Sequence, residues 1–296
     1  MKQKKSLILA TIVAVLLITA CGGLSTKELK QEADKEMEAL YKAKDYKRIL
    51  IVADSLEKAG YLSTVKSYYW RGYAYDRMKQ KEQAEQCWKV SMEAGEKSED
   101  QDDNIAYAKS ASRLANLLCI RGNYEETKKL SQAAIERLEA QKCDTTSDYL
   151  NLLIYIGCCQ SVLAEQIDTK KNGFYRAYDK HMENVSKKHT DGAYKDAIAG
   201  LINIAYFCVK AKKYEDALYY TRHFGELLGE YEMRPGVNEE YIDRQLGRYD
   251  IYKAQALKGI GKNQEAAETY DAFQATKFSK SSEGQQLAEY YLNMNL

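Results

Sequence analysis

The sequence predicts an all-helical protein built as one continuous array of helical hairpins. Three observations carry that prediction. A single proline, Pro235, occurs in 296 residues, far below the usual share of about 5%, so almost nothing interrupts a helix. Ala, Leu, Lys, Glu and Gln, which cost least in a helix, are abundant. Five stretches also align side by side: LYKAKDYKRILIVADSLEKAG, YDRMKQKEQAEQCWKVSMEAG, LLCIRGNYEETKKLSQAAIER, CVKAKKYEDALYYTRHFGELL and ALKGIGKNQEAAETYDAFQAT. Each ends one helix, turns over a short Lys/Gly/Asn segment and starts another.

The first element is an address. Three lysines in the first five residues precede an apolar run from Leu7 to Ile18, and small residues follow. That is the layout of a secretory signal, and the run is shorter than the roughly 20 residues of a membrane span. Ile18-Thr19-Ala20-Cys21 resembles the bacterial lipobox. The resemblance implies cleavage before Cys21, acylation of that cysteine, and stable anchoring through several acyl chains. Gly22 follows where an inner-membrane retention signal of the enteric type has Asp, and no acidic export cluster is visible. The implied address is an outer membrane, facing the periplasm. The expected organisation is a signal peptide over 1–20, a tether over 21–26 and a helical repeat domain over 27–296.

The repeat domain opens at Ser25-Thr26-Lys27-Glu28, a capping box. Ser98-Glu99-Asp100-Gln101 reads as a second one, starting the third hairpin. Each hairpin turn is preceded by a small or compact anchor: Met37, Gly72, Ala115, Ala205 and Ala254. Twelve residues later stand Ile49, Ala84, Thr127, Ala217 and Ala266, and four further on Ala53, Trp88, Ser131, Thr221 and Tyr270. Tyr46, Tyr124 and Tyr214 open the second helices. A sixth, irregular unit lies around 150–190. Its anchor Gly157 and counterpart Ala177 are twenty residues apart, eight too many, and a longer loop from Glu165 to Gly173 would absorb them. Met233-Arg234-Pro235-Gly236 turns the chain between the last two units. SEGQQLAEYYLNMNL, from Ser282 on, reads as one more helix, either a solvating cap or the first helix of a further unit.

These constellations resemble the tetratricopeptide repeat (TPR), a helix-turn-helix unit with small residues where its helices cross. The resemblance implies a right-handed TPR-like superhelical solenoid of about six hairpins plus a C-terminal helix. In that family the first helices of successive units line a concave groove. Carried onto this chain, the groove positions are Tyr69, Tyr73, Asp76 and Arg77, then Ser112, Asn116 and Cys119, then Ile154, Cys158 and Ser161. Ile202, Tyr206 and Val209, and lastly Ile251, Gln255 and Lys258, complete the set. The apolar middle admits two explanations, a site for an amphipathic helix or plain core. In the cluster YYWRGYAYD the same alignment makes Gly72 the close-packing point, with Ala84 and Trp88 across the crossing. Tyr68 and Tyr75 fall between the helices, Trp70 toward the preceding unit, and Tyr69 with Tyr73 toward the groove.

Six cysteines besides Cys21 occur: Cys87, Cys119, Cys143, Cys158, Cys159 and Cys208. None forms a CxxC pair and five lie in apolar helical stretches, so they read as buried thiols rather than bridges. Adjacent Cys158 and Cys159 point to different sides of a helix, so at most one is expected to reach a given partner. The chemistry search returns no catalytic set. His181, His189 and His223 match no metal-ligand spacing, and no GxSxG or phosphate-binding glycine loop occurs. No cofactor and no metal is expected. Net charge is +1 with the signs interspersed, which argues against nucleic acid. The predicted role is a non-enzymatic, lipid-anchored scaffold for protein or peptide partners. The alternatives are the sensory part of a TPR-containing signalling regulator and a glycan-binding lipoprotein of an outer-membrane uptake system.

Overall fold

The computed structural model describes residues 25–142, 146–165 and 168–294. The signal peptide, Cys21 and Cys143 lie outside the described residues. Among the described residues there are thirteen α-helices, two short 3-10 turns and no strand, the all-helical class that the low proline content predicts. None of these helices is long and apolar enough to cross a membrane. The helices form two compact units, one reaching Leu114 and the other starting at Ala115.

The first unit holds α1 (Thr26–Lys42), α2 (Tyr46–Lys58), α3 (Thr64–Arg77), α4 (Lys81–Gly95) and most of α5 (Gln101–Ile120). Ser25 caps α1 through the expected reciprocal bonds with Glu28, its N–H donating to the carboxylate at 2.7 Å. The second predicted capping box is corrected. Asp100, not Ser98, caps α5, accepting the N–H groups of Asp102 at 2.8 Å and Asp103 at 3.2 Å. Ser98 instead donates to the Asp103 carboxylate at 2.8 Å, shared with Ser63 at 2.5 Å. Gly72 is the close-packing point: a Cβ there would lie 2.5 Å from the Trp88 ring. Trp70 packs on the cluster of Met37, Leu40, Ile49 and Val52 from the preceding hairpin. A half-buried Lys66 ties three helices, reaching Asp34 on α1 at 2.9 Å and Asp102 on α5 at 3.1 Å. Burial alone would depress its pKa, and the two carboxylates more than offset this and raise it.

The second unit holds the end of α5, then α6 (Tyr124–Ala140), α7 (Ser147–Val162), α8 (Gly173–Lys188), α9 (Asp191–Lys210) and α10 (Tyr214–Glu232). α11 (Glu239–Gly259), α12 (Asn263–Ala275) and α13 (Ser282–Leu292) complete it. From α6 through α12 each helix packs on the next, and the first helices α7, α9, α11 and α13 also pack in succession. Helices α7 and α9 are buried over most of their surface, as a helix flanked on several sides must be. The arrangement is a TPR-like stacking of helical hairpins.

One backbone device recurs in all six hairpins. Seven residues after each anchor the chain enters the left-handed region: Lys44 (φ 55°), Lys79 (63°), Gly122 (82°), Ala164 (52°), Lys212 (56°) and Gly261 (79°). At each, its N–H donates to the carbonyl three residues back and the next N–H to the carbonyl five back. Lys79 to Asp76 at 3.0 Å and Gln80 to Tyr75 at 2.9 Å are one such pair. This double bond satisfies the last carbonyls of the first helix. The fourth hairpin therefore turns normally, and its surplus residues follow the turn. Beyond the turn come a 3-10 turn at Thr169–Lys171 and Asn172, which caps α8 at 2.9 Å, as the loop reading expects. The crossing itself differs from the expected Gly157–Ala177 pairing. Gly157 faces Gly173 and Phe174, where any Cβ would collide with the opposing helix, while Ala177 is buried one turn further on.

Candidate functional site

The groove positions of the first unit start from the i, i+4 spacing of Tyr69 and Tyr73, which puts both rings on one face of α3. That face is covered. Tyr69 and Tyr73 are 8% and 4% exposed. Tyr73 meets the rings of Tyr41 at 5.0 Å, Tyr46 at 6.3 Å and Trp70 at 6.4 Å, separations typical of aromatic packing. Tyr69 lies 5.2 Å from Trp70, with the Lys109 ammonium of α5 at 5.5 Å from its ring. Tyr68 and Tyr75, expected between the helices, are half-buried, and Arg71 stacks on Tyr68 at 4.6 Å.

The polar rim of this cluster is open. Arg77, in the last turn of α3, is exposed. Its Nε donates to the Tyr73 hydroxyl at 2.8 Å while its guanidinium stands 5.0 Å from the ring. Burial first, and then the neighbouring Tyr41 hydroxyl, raise the Tyr73 pKa against the pull of Arg77, so the phenol stays protonated at neutral pH. Asp76 pairs with Lys81 at 2.5 Å, across the hairpin turn. Tyr41, the residue just before that of α1's last position, is 41% exposed. Tyr41, Arg77 and Asp76 thus make a small surface of one phenol ring, one guanidinium and one carboxylate over the buried Tyr73. It can stack and donate hydrogen bonds, which suits recognition rather than bond making. Sequence reasoning placed Tyr46 in its repeat but missed Tyr41 and Lys109, whose approach depends on neighbouring helices.

In the second unit Asn116 is half-buried on α5. Tyr206, on α9, is half-buried with Phe207 at 4.9 Å, Tyr252 at 5.9 Å and the Lys210 ammonium at 5.7 Å. Burial raises its pKa, with the nearby Cys119 and Cys158 adding to the effect. The apolar middle is core: Ile154, Cys158, Ile202, Val209 and Ile251 are each at most 3% exposed. Gln255 and Lys258 meet the C-terminal helix instead of solvent, donating to the carbonyls of Leu287 at 3.2 Å and Tyr291 at 2.9 Å. Helix α13 is further held by Tyr291 stacked on Tyr270 at 4.4 Å and Lys210 over Tyr290 at 4.2 Å.

Among the described residues no group of three or more His, Cys, Asp or Glu side chains is placed to hold a metal ion. His181 is buried with its Nε2 unpartnered and its ring against Gly200. His223 lies among Tyr219 at 4.6 Å, Tyr178 at 5.2 Å and the Glu226 carboxylate at 3.0 Å.

No protein-family model matches the chain, and no curated protein matches it in sequence. Solved structures do match in shape. PilW, described as a widely conserved type IV pilus biogenesis factor, is similar with a TM-score of 0.54 at 15% identity, over 88% of this chain and 98% of that one. The apo form of RapI gives 0.51 at 13% identity, over 88% and 99%. At such identities the likeness is one of fold, the TPR-like helical repeat.

Proposed function

We propose that this chain is a lipid-anchored scaffold of the bacterial cell envelope. In this reading Cys21 carries the acyl chains, and the TPR-like array, without catalysis of its own, binds a protein or peptide partner. The observation that carries the proposal is the construction of the array: six hairpins with one turn geometry, bearing at the end of α3 a rim of Tyr41, Arg77 and Asp76 over the buried Tyr73 that can stack, hydrogen-bond and pair charge. Peptide recognition through such groups is common. Asn116 and Tyr206 are proposed as further contacts in the second unit. PilW, a pilus biogenesis factor, offers support by analogy for an envelope role, since a shared fold does not fix a function.

A photoreactive residue at Tyr41 or Arg77, introduced into the full chain in its native envelope, tests the binding half. The expected result is a discrete protein adduct at these positions and none at Lys129 on α6. Recovery of a glycan alone would sink it. Metabolic palmitate labelling tests the anchor: Cys21→Ala should lose the label, and an unlabelled wild-type chain would remove the lipoprotein reading.

A further inference from the structure

We propose that Cys119 and Cys158 are a disulfide-forming pair, so that an oxidising environment ties α5 covalently to α7. The two residues are 39 positions apart in sequence, yet their sulfurs stand 3.5 Å apart within the second unit. A disulfide needs about 2.05 Å between sulfurs, so each has to move by only ~0.7 Å from the observed contact. Of the adjacent pair Cys158 and Cys159, it is Cys158 whose sulfur contacts Cys119, in keeping with the two pointing to different sides of the helix. Two thiols from different helices therefore meet at one point. Cys87 and Cys208 are single buried thiols raised chiefly by burial, Cys87 to about 11. Helical packing needs small apolar fillers, but it gives no reason for two sulfurs to meet across helices.

Burial protects the pair in the closed protein. Cys119 and Cys158 are 4% and 2% exposed, and the contact with Cys158, together with burial, raises the Cys119 thiol above its ordinary pKa against a lowering contribution from Cys159. Little thiolate is present at neutral pH, so exchange is slow until the contact opens. Position supplies the opening. Cys119 is the penultimate residue of α5, followed by Ile120 at 65% exposure and the left-handed turn at Gly122, and helix ends open at low cost.

The step balances with a disulfide oxidant, either a small-molecule disulfide or the active disulfide of a thiol oxidoreductase. The Cys119 thiolate attacks one oxidant sulfur, forming a mixed disulfide and expelling the first thiolate. The Cys158 thiolate then attacks the Cys119 sulfur, closing the protein bond and expelling the second. Two protein S–H bonds become one S–S bond, the two protons go to the leaving thiolates, and the oxidant is reduced to two thiols. None of this depends on what the array binds.

The test uses the full chain, both folded and refolded from urea, held in an oxidised-glutathione buffer, then denatured, alkylated and analysed by intact mass and peptide mapping. The expected result is two fewer alkylated cysteines and a cross-linked peptide pair containing Cys119 and Cys158. Cys119→Ser should abolish that loss, and Cys159→Ser should retain it. A full complement of alkylated thiols in both the folded and refolded chain overturns the proposal. So does a bond that maps to Cys159 or Cys208, or one that persists in Cys119→Ser. Peptide mapping of the wild type decides the matter even if a serine variant folds poorly.

Discussion

Acid should destabilise this protein through one buried imidazole. His181 on α8 is 3% exposed, its Nε2 has no hydrogen-bond partner, and its ring fills the space left by Gly200 on α9. Burial lowers its pKa from 6.5 to about 4, because the charged form has nothing there to replace water. The folded chain thus binds this proton less readily than the unfolded chain. The contribution to stability is complete above pH 6.5 and is lost as pH falls from there through about 4. At about 1.36 kcal/mol per pKa unit, the loss across the window is about 3 kcal/mol. Other groups titrate in the same range. Asp250, raised by burial to about 6, works in the opposite direction, favouring the fold as pH falls. The decisive quantity is therefore the difference between wild type and His181→Leu, which cannot titrate. Urea unfolding followed by circular dichroism at pH 7.5, 6, 5 and 4 should show the wild type losing about 3 kcal/mol relative to the variant. A wild-type-minus-variant difference that stays flat across that range would refute the reasoning, as would an imidazole titrating at an ordinary pKa by NMR.

Three further outcomes follow from single contacts. Gly72→Ala places a methyl 2.5 Å from the Trp88 ring and should cost about 1–3 kcal/mol, since a packed ring must move; an unchanged urea midpoint would show that Trp88 shifts freely. Ala164→Gly, at φ 52° in the turn of the fourth hairpin, should stabilise by about 1 kcal/mol through relief of left-handed strain, whereas destabilisation would mean the backbone there is otherwise disposed. Asp250→Asn removes a carboxylate whose ionised form is disfavoured by burial. Its full shift would correspond to about 3 kcal/mol, which partial exposure screens to on the order of 1 kcal/mol. The variant should be more stable than wild type at pH 8 and no more stable at pH 4.

Sequence made some of this architecture legible and concealed the rest for identifiable reasons. The anchors at Gly72, Ala115, Ala205 and Ala254 are local features, small residues at fixed distance from a turn, and the helices follow them. The crossing of Gly72 with Trp88 was equally readable, because both belong to one hairpin. The left-handed turn residues were not, because only Gly122 and Gly261 carry the usual signal. Lys44, Lys79, Lys212 and Ala164 adopt the same conformation under the double carbonyl bonds that close each turn. The candidate site was half legible. The spacing of Tyr69 and Tyr73 fixes that they share a face of α3. Whether that face is covered depends on Tyr41 from α1 and Lys109 from α5, residues 32 and 40 positions from the rings they meet, and no periodicity within α3 reports them.

Burial of the inner faces narrows where recognition can occur. An open apolar groove would leave Ile154, Ile202 and Ile251 accessible, and each is at most 3% exposed. At the last hairpin the polar groups aimed inward, Gln255 and Lys258, already hold carbonyls of α13, and Lys210 already faces Tyr290. A partner that displaced α13 would have to replace those bonds as well as the Tyr270–Tyr291 stack and the ion pairs of Glu283 with Arg244 and Arg248. The rim at the end of α3 carries no such obligation. Arg77 is exposed there and its guanidinium retains donors beyond the one bonded to Tyr73. Binding at that rim would add contacts without breaking the fold, and this is why the proposed partner contact is assigned to the N-terminal hairpins rather than to the apolar middle.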